Sequence, residues 1–225
     1  MKNRTNLAVR AAFYIAGFLI MTLGIAISVK SDMGVSPVSS IPYTMTCIWG
    51  IEMGRATVLF HTALVFIQLL LLRKEFKPIN LLQIPVGILF GAFTSFSNGL
   101  MLYFPAPQNL TVQLLMMLCS TALIAFGVFL YVPANFIPLA GEGAILAVSK
   151  VTKIKFSTAK LVFDITMVAV SLLTCLIIIR RPGSVGLGTV AAAVLVGLEL
   201  KVITRFWGER RDMLLKAGTD AQSAG

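Results

Sequence analysis

Six long runs of apolar residues limit what this chain can fold into. They cover roughly 8–29, 56–72, 80–103, 112–132, 158–179 and 185–206. Each run is close to the roughly 20 residues that an α-helix needs to cross a hydrocarbon core about 30 Å thick. The breaks between them are polar or rich in Pro and Gly, as at 180–183. We therefore predict an all-α polytopic membrane protein with a single membrane domain over 1–225.

The charged residues support this class of protein. Only 12% of the chain is charged, whereas soluble globular chains carry about 25%. The 19 Lys and Arg residues outnumber the 9 Asp and Glu residues, but the basic residues lie in the breaks between apolar runs. Cytoplasmic loops of membrane proteins collect Lys and Arg in this way. The excess therefore indicates topology and contact with the lipid bilayer, and it argues against nucleic acid as a partner.

Two stretches between the runs are apolar but broken. The first, over 34–51, contains Pro37 and Pro42, and the second, over 136–149, contains Glu142 between two glycines. Apolar segments of about 10–14 residues are more often re-entrant or interfacial than spanning. We predict six transmembrane helices with one short broken or re-entrant helix in each half; the alternative is eight spans.

The two halves follow the same order of segments. A shift of 103 residues places 23–70 over 126–173 without a gap, with Asp32 opposite Asn135 and His61 opposite Asp164. Only 8 of these 48 positions are identical, so the shared order of long and broken segments carries more weight than identity. The pattern predicts an internal duplication, with repeats over 8–103 and 112–206 and a polar C-terminal tail over 208–225.

The basic residues favour the six-span arrangement. Three spans per repeat require the two halves to be inverted, and with the N-terminus inside this places 15 Lys and Arg inside and 4 outside. Eight spans would give 13 inside and 6 outside. The positive-inside rule prefers the first arrangement, and both place the two termini in the cytoplasm.

Broken helices at membrane depth indicate a binding site, because non-helical backbone is tolerated there only inside protein or beside a water-filled cavity. The predicted substrate-binding residues come from both broken segments: Asp32, Ser36, Ser39, Ser40, Asn135 and Glu142. The alternative interpretation is that the serines cap a helix and the prolines set its first turn.

Two ionisable residues inside spans are candidates for ion coupling. Asp164 lies four residues after Lys160, so the two side chains share a helix face and are expected to pair. His61 lies at a similar depth in the matching helix. The alternatives are a structural ion pair and a packing histidine. The GxxxG at Gly87–Gly91 and the pair Ala12 and Ala16 predict close helix packing.

The sequence shows no sign of an enzyme or a cofactor. It contains no GxSxG, HExxH or Walker A motif. Three well-separated cysteines and a single histidine do not form a metal-binding pattern. We predict a protein that is not an enzyme and that holds no cofactor or metal.

Two segments resemble a known group of bacterial membrane proteins. Leu23-Gly24-Ile25-Ala26 through Asp32-Met33-Gly34-Val35-Ser36-Pro37 and the later segment 189–198 are similar to the YczE/YyaS/YitT group. The likeness covers most of 13–206. It implies a multi-pass protein of the bacterial inner membrane, and it names no substrate.

We predict a small secondary transporter, or permease, of an unidentified small organic solute. One alternative is a non-catalytic substrate-binding subunit of an uptake complex, and another is an accessory membrane protein. The sequence leaves open a homodimer or a partner subunit.

Overall fold

A computed structural model describes residues 2–216 of the chain, and over these residues every regular element is helical. The α-helices are α1 (Lys2–Ser31), α2 (Pro37–Trp49), α3 (Met53–Leu72), α4 (Gln83–Met101), α5 (Leu110–Tyr131), α6 (Ala140–Thr152), α7 (Phe156–Ile178) and α8 (Leu187–Lys216). Short 3-10 turns cover Arg73–Glu75, Pro78–Leu82 and Val132–Ala134. The predicted all-α membrane fold is confirmed.

Six of the helices are long and apolar enough to cross a bilayer: Leu7–Ser31, Met53–Glu75, Pro78–Met101, Leu110–Ala134, Phe156–Ile178 and Leu187–Leu215. They match the six predicted runs. The helices α2 and α6 have 13 residues each and are therefore only about 20 Å long at 1.5 Å per residue. This length is too short to span, which favours six spans over eight.

The last helix is longer than its apolar run. It continues to Lys216, so the part of the predicted polar tail over 208–216 is helical. The rest of that tail, 217–225, lies outside the described residues.

The helix bounds repeat at the spacing that the sequence predicts. Adding 103 to the bounds of α2 gives the bounds of α6, and the first residue of α3 maps onto the first residue of α7. The turns before the short helices also match, because Asp32 and Asn135 both have positive φ, 57° and 54°. These coincidences agree with a duplication, whereas the inversion of the two halves stays a prediction.

The packing of helices follows the same correspondence with one exception. Helix α1 packs along α5 at the centre. Three helix contacts made by the first half have an equivalent made by the second: α1–α4 corresponds to α5–α8, α2–α7 corresponds to α6–α3, and α2–α3 corresponds to α6–α7. Helices α3 and α4 pack closely, but the equivalent helices α7 and α8 do not. The second half is therefore more open between its last two helices.

Glycines explain why α3 and α4 pack so closely. A Cβ on Gly91 would lie 2.7 Å from the Gly54 carbonyl oxygen, and one on Gly87 would lie 3.0 Å from the His61 Cβ. The predicted role of the GxxxG is thus confirmed. A shift of 103 places valines at the positions of Gly87 and Gly91, namely Val190 and Val194.

The small residues predicted in α1 behave differently. Ala12 and Ala16 are exposed, so the prediction that they mediate close packing is wrong. The crossing with α5 uses Gly17 instead, where a Cβ would lie 2.8 Å from the Gly127 carbonyl oxygen. A small-residue spacing indicates a close contact, but neighbouring small residues on other faces compete for that role.

Glu52 caps the start of α3 and links it to α4. Its carboxylate accepts hydrogen bonds from the backbone N–H groups of Gly54 at 2.8 Å and Arg55 at 2.9 Å, and from the Ser95 hydroxyl at 2.9 Å. Burial acts to raise the pKa of the carboxyl, but these hydrogen bonds and the charge of Arg55 outweigh it, so the pKa of Glu52 is lowered.

Candidate functional site

A cavity of about 470 Å³ lies at the centre of the helix bundle. All eight helices contribute to its wall, and most of the lining side chains are apolar. This volume falls within the range of about 300–1,000 Å³ that is typical of small-molecule sites. The cavity is therefore large enough for an organic ligand.

The wall of the cavity reflects the correspondence between the two halves. Eighteen of its 26 lining residues form nine pairs separated by 103 residues. The pairs are Met21/Ile124, Ile25/Val128, Ser36/Leu139, Val38/Gly141, Ser39/Glu142, Pro42/Ile145, Thr57/Lys160, His61/Asp164 and Phe90/Ala193. The cavity thus lies where the two halves meet, beside the first turns of both short helices.

Among the described residues, the charged groups that line the cavity all come from the second half. Glu142 lies in the first turn of α6, while Lys160 and Asp164 lie on α7. Their partners at a spacing of 103 are the uncharged Ser39, Thr57 and His61. At these three paired positions the first half therefore provides hydroxyls and an imidazole, whereas the second half provides charged groups.

Glu142 has one hydrogen-bond partner in the part of the chain that the structure describes. The hydroxyl of Tyr131 donates a hydrogen bond to its Oε1. Tyr131 lies in the last turn of α5, and its own ring packs against Phe18 and Tyr14 in the core. No hydrogen bond to the second carboxylate oxygen, Oε2, forms among residues 2–216. That oxygen is free to accept a hydrogen bond from a ligand.

Asp164 is bound on one side only. Its Oδ2 forms the predicted ion pair with Lys160, at 2.8 Å. Its Oδ1 is buried and has no hydrogen-bond partner within the described part of the chain. Burying an acceptor without a donor costs roughly 1–3 kcal/mol of folding free energy, so a ligand that donates a hydrogen bond to Asp164 Oδ1 would remove this cost.

The hydroxyl side of the cavity is formed by α2 and α3. The Ser36 hydroxyl donates to the Ser39 hydroxyl at 3.1 Å, and it does not cap α2. His61 is 3% exposed, and its Nδ1 also lacks a partner among the described residues. These residues offer hydroxyl and imidazole groups to whatever occupies the cavity.

Five of the eight predicted site residues line the cavity: Ser36, Ser39, His61, Glu142 and Asp164. The other three do not. Asp32 and Asn135 lie exposed in the turns after α1 and α5, and Ser40 is buried against α7, where it accepts a hydrogen bond from Ser171 at 2.9 Å. Asp32 and Asn135 thus provide the positive-φ positions of their turns, and Ser40 helps to pack α2 against α7.

The sequence interpretation missed Tyr131 and did not assign Lys160 to the site. A tyrosine in the last turn of an apolar span is a usable signal, because a buried phenol usually finds a hydrogen-bond partner. Among residues 2–216, no three His, Cys, Asp or Glu side chains are grouped so that they could hold a metal ion.

A second, more polar cavity of about 330 Å³ lies between α3, α4 and α6. At its base, the Gln68 amide nitrogen donates to Gln83 Oε1 at 2.8 Å and to the Ala140 carbonyl at 3.2 Å. At its rim, Lys150 pairs with Glu75 at 2.6 Å. This cavity lies on the other side of the first turn of α6 from the central one.

Comparison with known proteins places the chain in a family. The model of a family of unknown function, DUF6198, matches residues 8–205. The chain belongs to the DUF6198 family. The matched range contains every residue that lines the central cavity, from Met21 to Leu200, so the cavity belongs to the part of the chain that the family defines.

Two relatives come from Bacillus subtilis (strain 168). The protein named "Uncharacterized membrane protein YczE" is 23% identical over 199 residues, which are 88% of this chain and 86% of the relative. The protein named "Uncharacterized protein YyaS" is 26% identical over 198 residues, 84% of this chain and 90% of the relative. The predicted resemblance to YczE and YyaS is confirmed. No solved structure matches the chain.

Proposed function

We propose that this DUF6198 protein is a small secondary transporter of an organic solute that works by alternating access. The observation that carries the proposal is the central cavity, whose wall is built from pairs of residues 103 apart in the two halves. Transporters with internal repeats hold their substrate at the repeat interface, typically beside the ends of discontinuous helices. The start of α2 and the start of α6 occupy that place here.

The polar groups of the cavity suit a binding and coupling role. Ser36, Ser39 and Glu142 would contact the solute, and Asp164 with His61 are the candidates for ion coupling. Ionisable groups at membrane depth are costly and usually functional. We assign no direct contact with the solute to Asp32, Ser40 or Asn135, because they do not line the cavity.

We also propose that the protein lies in the bacterial inner membrane with both termini in the cytoplasm. Arg10 on α1, Lys150 on α6 and Arg211 on α8 contact groups at one end of the bundle, near the end of α5 or α3. The positive-inside rule assigns such an end to the cytoplasm.

Alternating access is testable without knowing the solute. In a variant whose Cys47, Cys119 and Cys175 are replaced by serine, Ser39→Cys introduces one thiol into the cavity. A membrane-impermeant methanethiosulfonate reagent is then applied to either side of oriented membrane vesicles. We expect labelling of the Ser39→Cys thiol from both sides. Labelling from one side only, or from neither, would contradict alternating access.

Ser40→Cys is the matched control. Ser40 follows Ser39 in the same helix, but it is buried against α7 and does not line the cavity. We expect no labelling there from either side. One-sided labelling of Ser39→Cys would instead favour the non-catalytic binding subunit, because such a site needs to open only toward the compartment from which it captures its ligand.

A further inference from the structure

We infer that the central cavity binds an organic ammonium ion with an apolar body. This inference names the substrate class of the transporter proposed above and rests on that proposal. It follows from the unmet hydrogen-bonding capacity of the cavity wall, from its charge and from the apolar character of the remaining lining.

The unmet polar atoms of the charged side are acceptors. Among residues 2–216, the only hydrogen bond to the Glu142 carboxylate goes to Oε1, which leaves Oε2 without one, and Asp164 Oδ1 is buried without a partner. A carboxylate oxygen accepts only, so each calls for a donor. A primary ammonium group carries three N–H donors and a positive charge, which makes it a complementary ligand for this pair.

The charge balance points the same way. In their ionised forms, Glu142 and Asp164 carry two negative charges against the single positive charge of Lys160, and no other Asp, Glu, Lys or Arg within residues 2–216 lines the cavity. The Lys160 ammonium is already paired with Asp164 and its side chain is 51% exposed. A ligand with one positive charge would neutralise the excess, whereas an anion would add to it.

The rest of the lining provides room for an apolar body. On the α8 side, Ala192, Ala193, Val196 and Gly197 form a wall without polar side-chain atoms. Apart from the neighbouring part of α8 itself, no atom of the described residues lies within 4 Å of the position that a Cβ on Gly197 would occupy. Hydrocarbon therefore fits beside α8 while the ammonium group reaches α6 and α7.

The test uses four compounds with the same phenylbutyl body. They are 4-phenylbutylamine, its N,N,N-trimethyl derivative, 4-phenylbutanol and 4-phenylbutyrate. Their dissociation constants for the purified full chain in a non-ionic detergent are measured by equilibrium dialysis, with protein-free micelles as the blank. We expect the primary amine to bind at least about tenfold more tightly than the alcohol, a difference of about 1.4 kcal/mol, and the carboxylate to bind weakest.

The trimethyl derivative separates charge from hydrogen bonding. It keeps the positive charge and loses every N–H donor, so we expect its affinity to lie between those of the amine and the alcohol. Equal binding of the amine and the alcohol would overturn the inference. So would tighter binding of the carboxylate, or the absence of saturable binding by all four compounds.

Glu142→Gln locates the site. The variant should weaken binding of the amine at least about tenfold and leave binding of the alcohol unchanged. If this variant does not fold, Asp164→Asn provides the same comparison from α7. Unchanged affinity for the amine in both variants would place the ammonium group elsewhere and contradict the inference.

The dialysis assay and the thiol-labelling assay test the ligand class and the transporter proposal separately, so either proposal can be refuted without the other. Selective binding of the amine together with one-sided labelling of Ser39→Cys would refute the transporter and keep the ligand class. Two-sided labelling without selectivity for the amine would refute the ligand class and keep the transporter.

Discussion

The contrast between two glycines gives a direct test of how the bundle is packed. Gly91 and Gly197 both lie inside long helices, α4 and α8. Replacement of a mid-helix glycine by alanine stabilises a helix by about 0.5–1 kcal/mol when the space allows it. Helix propensity alone therefore predicts the same gain in free energy of unfolding at both positions.

The surroundings of the two glycines separate the outcomes. A Cβ on Gly91 would overlap with Val58 and lie 2.7 Å from the Gly54 carbonyl oxygen, whereas no described atom outside the neighbouring part of α8 lies within 4 Å of a Cβ on Gly197. Overpacking of a close contact costs typically about 1–3 kcal/mol. We expect Gly91→Ala to destabilise the protein by about 0.5–2 kcal/mol and Gly197→Ala to stabilise it by about 0.5–1 kcal/mol.

Reversible unfolding in mixed micelles of a mild detergent and dodecyl sulfate measures this difference. The loss of helical circular dichroism gives the free energy of unfolding for wild type and both variants. If Gly91→Ala is as stable as Gly197→Ala, the close approach of α3 and α4 is not a feature of the folded protein and the packing argument fails.

Three further predictions concern polar contacts that hold helix ends together. Glu52→Gln should destabilise the protein by about 1 kcal/mol at neutral pH. Because the folded-state pKa of Glu52 is lowered, its contribution to stability is present above the ordinary carboxyl pKa of 4.5 and is lost as the pH falls through the folded value. A difference in free energy of unfolding between wild type and variant that stays constant down to low pH would contradict this prediction. Gln68→Leu should lower the free energy of unfolding by about 1–3 kcal/mol, because it leaves Gln83 without its donor. Adding Gln83→Leu should recover part of that loss in a double-mutant cycle, and strictly additive losses would exclude the coupling. Arg10→Lys should lower the midpoint of unfolding, because the planar guanidinium group of Arg10 donates to two backbone carbonyls, at 2.9 and 3.0 Å, and lysine has no such group. An unchanged midpoint would show that a positive charge alone is sufficient for this contact.

The sequence predicts the large features of this fold because they follow from local patterns. Apolar runs of about 20 residues define the six spans, and breaks containing Pro37 or Glu142 define the two short helices. The spacing of 103 residues anticipates the coincidence of helix bounds in α2 and α6. The Lys160–Asp164 pair is also local, since residues four apart share a helix face.

The site is only partly predictable, because its geometry depends on contacts between distant residues. Ser39 and Ser40 are neighbours in sequence, yet one faces the cavity and the other packs on Ser171 of α7. Which serine faces which way is set by the rotation of α2 against α7, and no local pattern encodes that rotation. The contact of Tyr131 with Glu142 likewise depends on the fold of the turn between α5 and α6.

The uneven charge of the paired cavity wall has a consequence for energetics. In a transporter with two identical inverted halves, a two-fold axis in the membrane plane would relate the two end states of a rocking motion, so the two states would be equal in free energy. Here the uncharged Ser39, Thr57 and His61 correspond to the charged Glu142, Lys160 and Asp164 at a spacing of 103 residues, so that equality is no longer required. If the proposed transporter alternates between two states, the resting population of one can exceed that of the other, and the solute can bind with different affinity on the two sides of the membrane. In the proposed transporter, three charged residues in one half are therefore enough to make the two end states unequal in free energy.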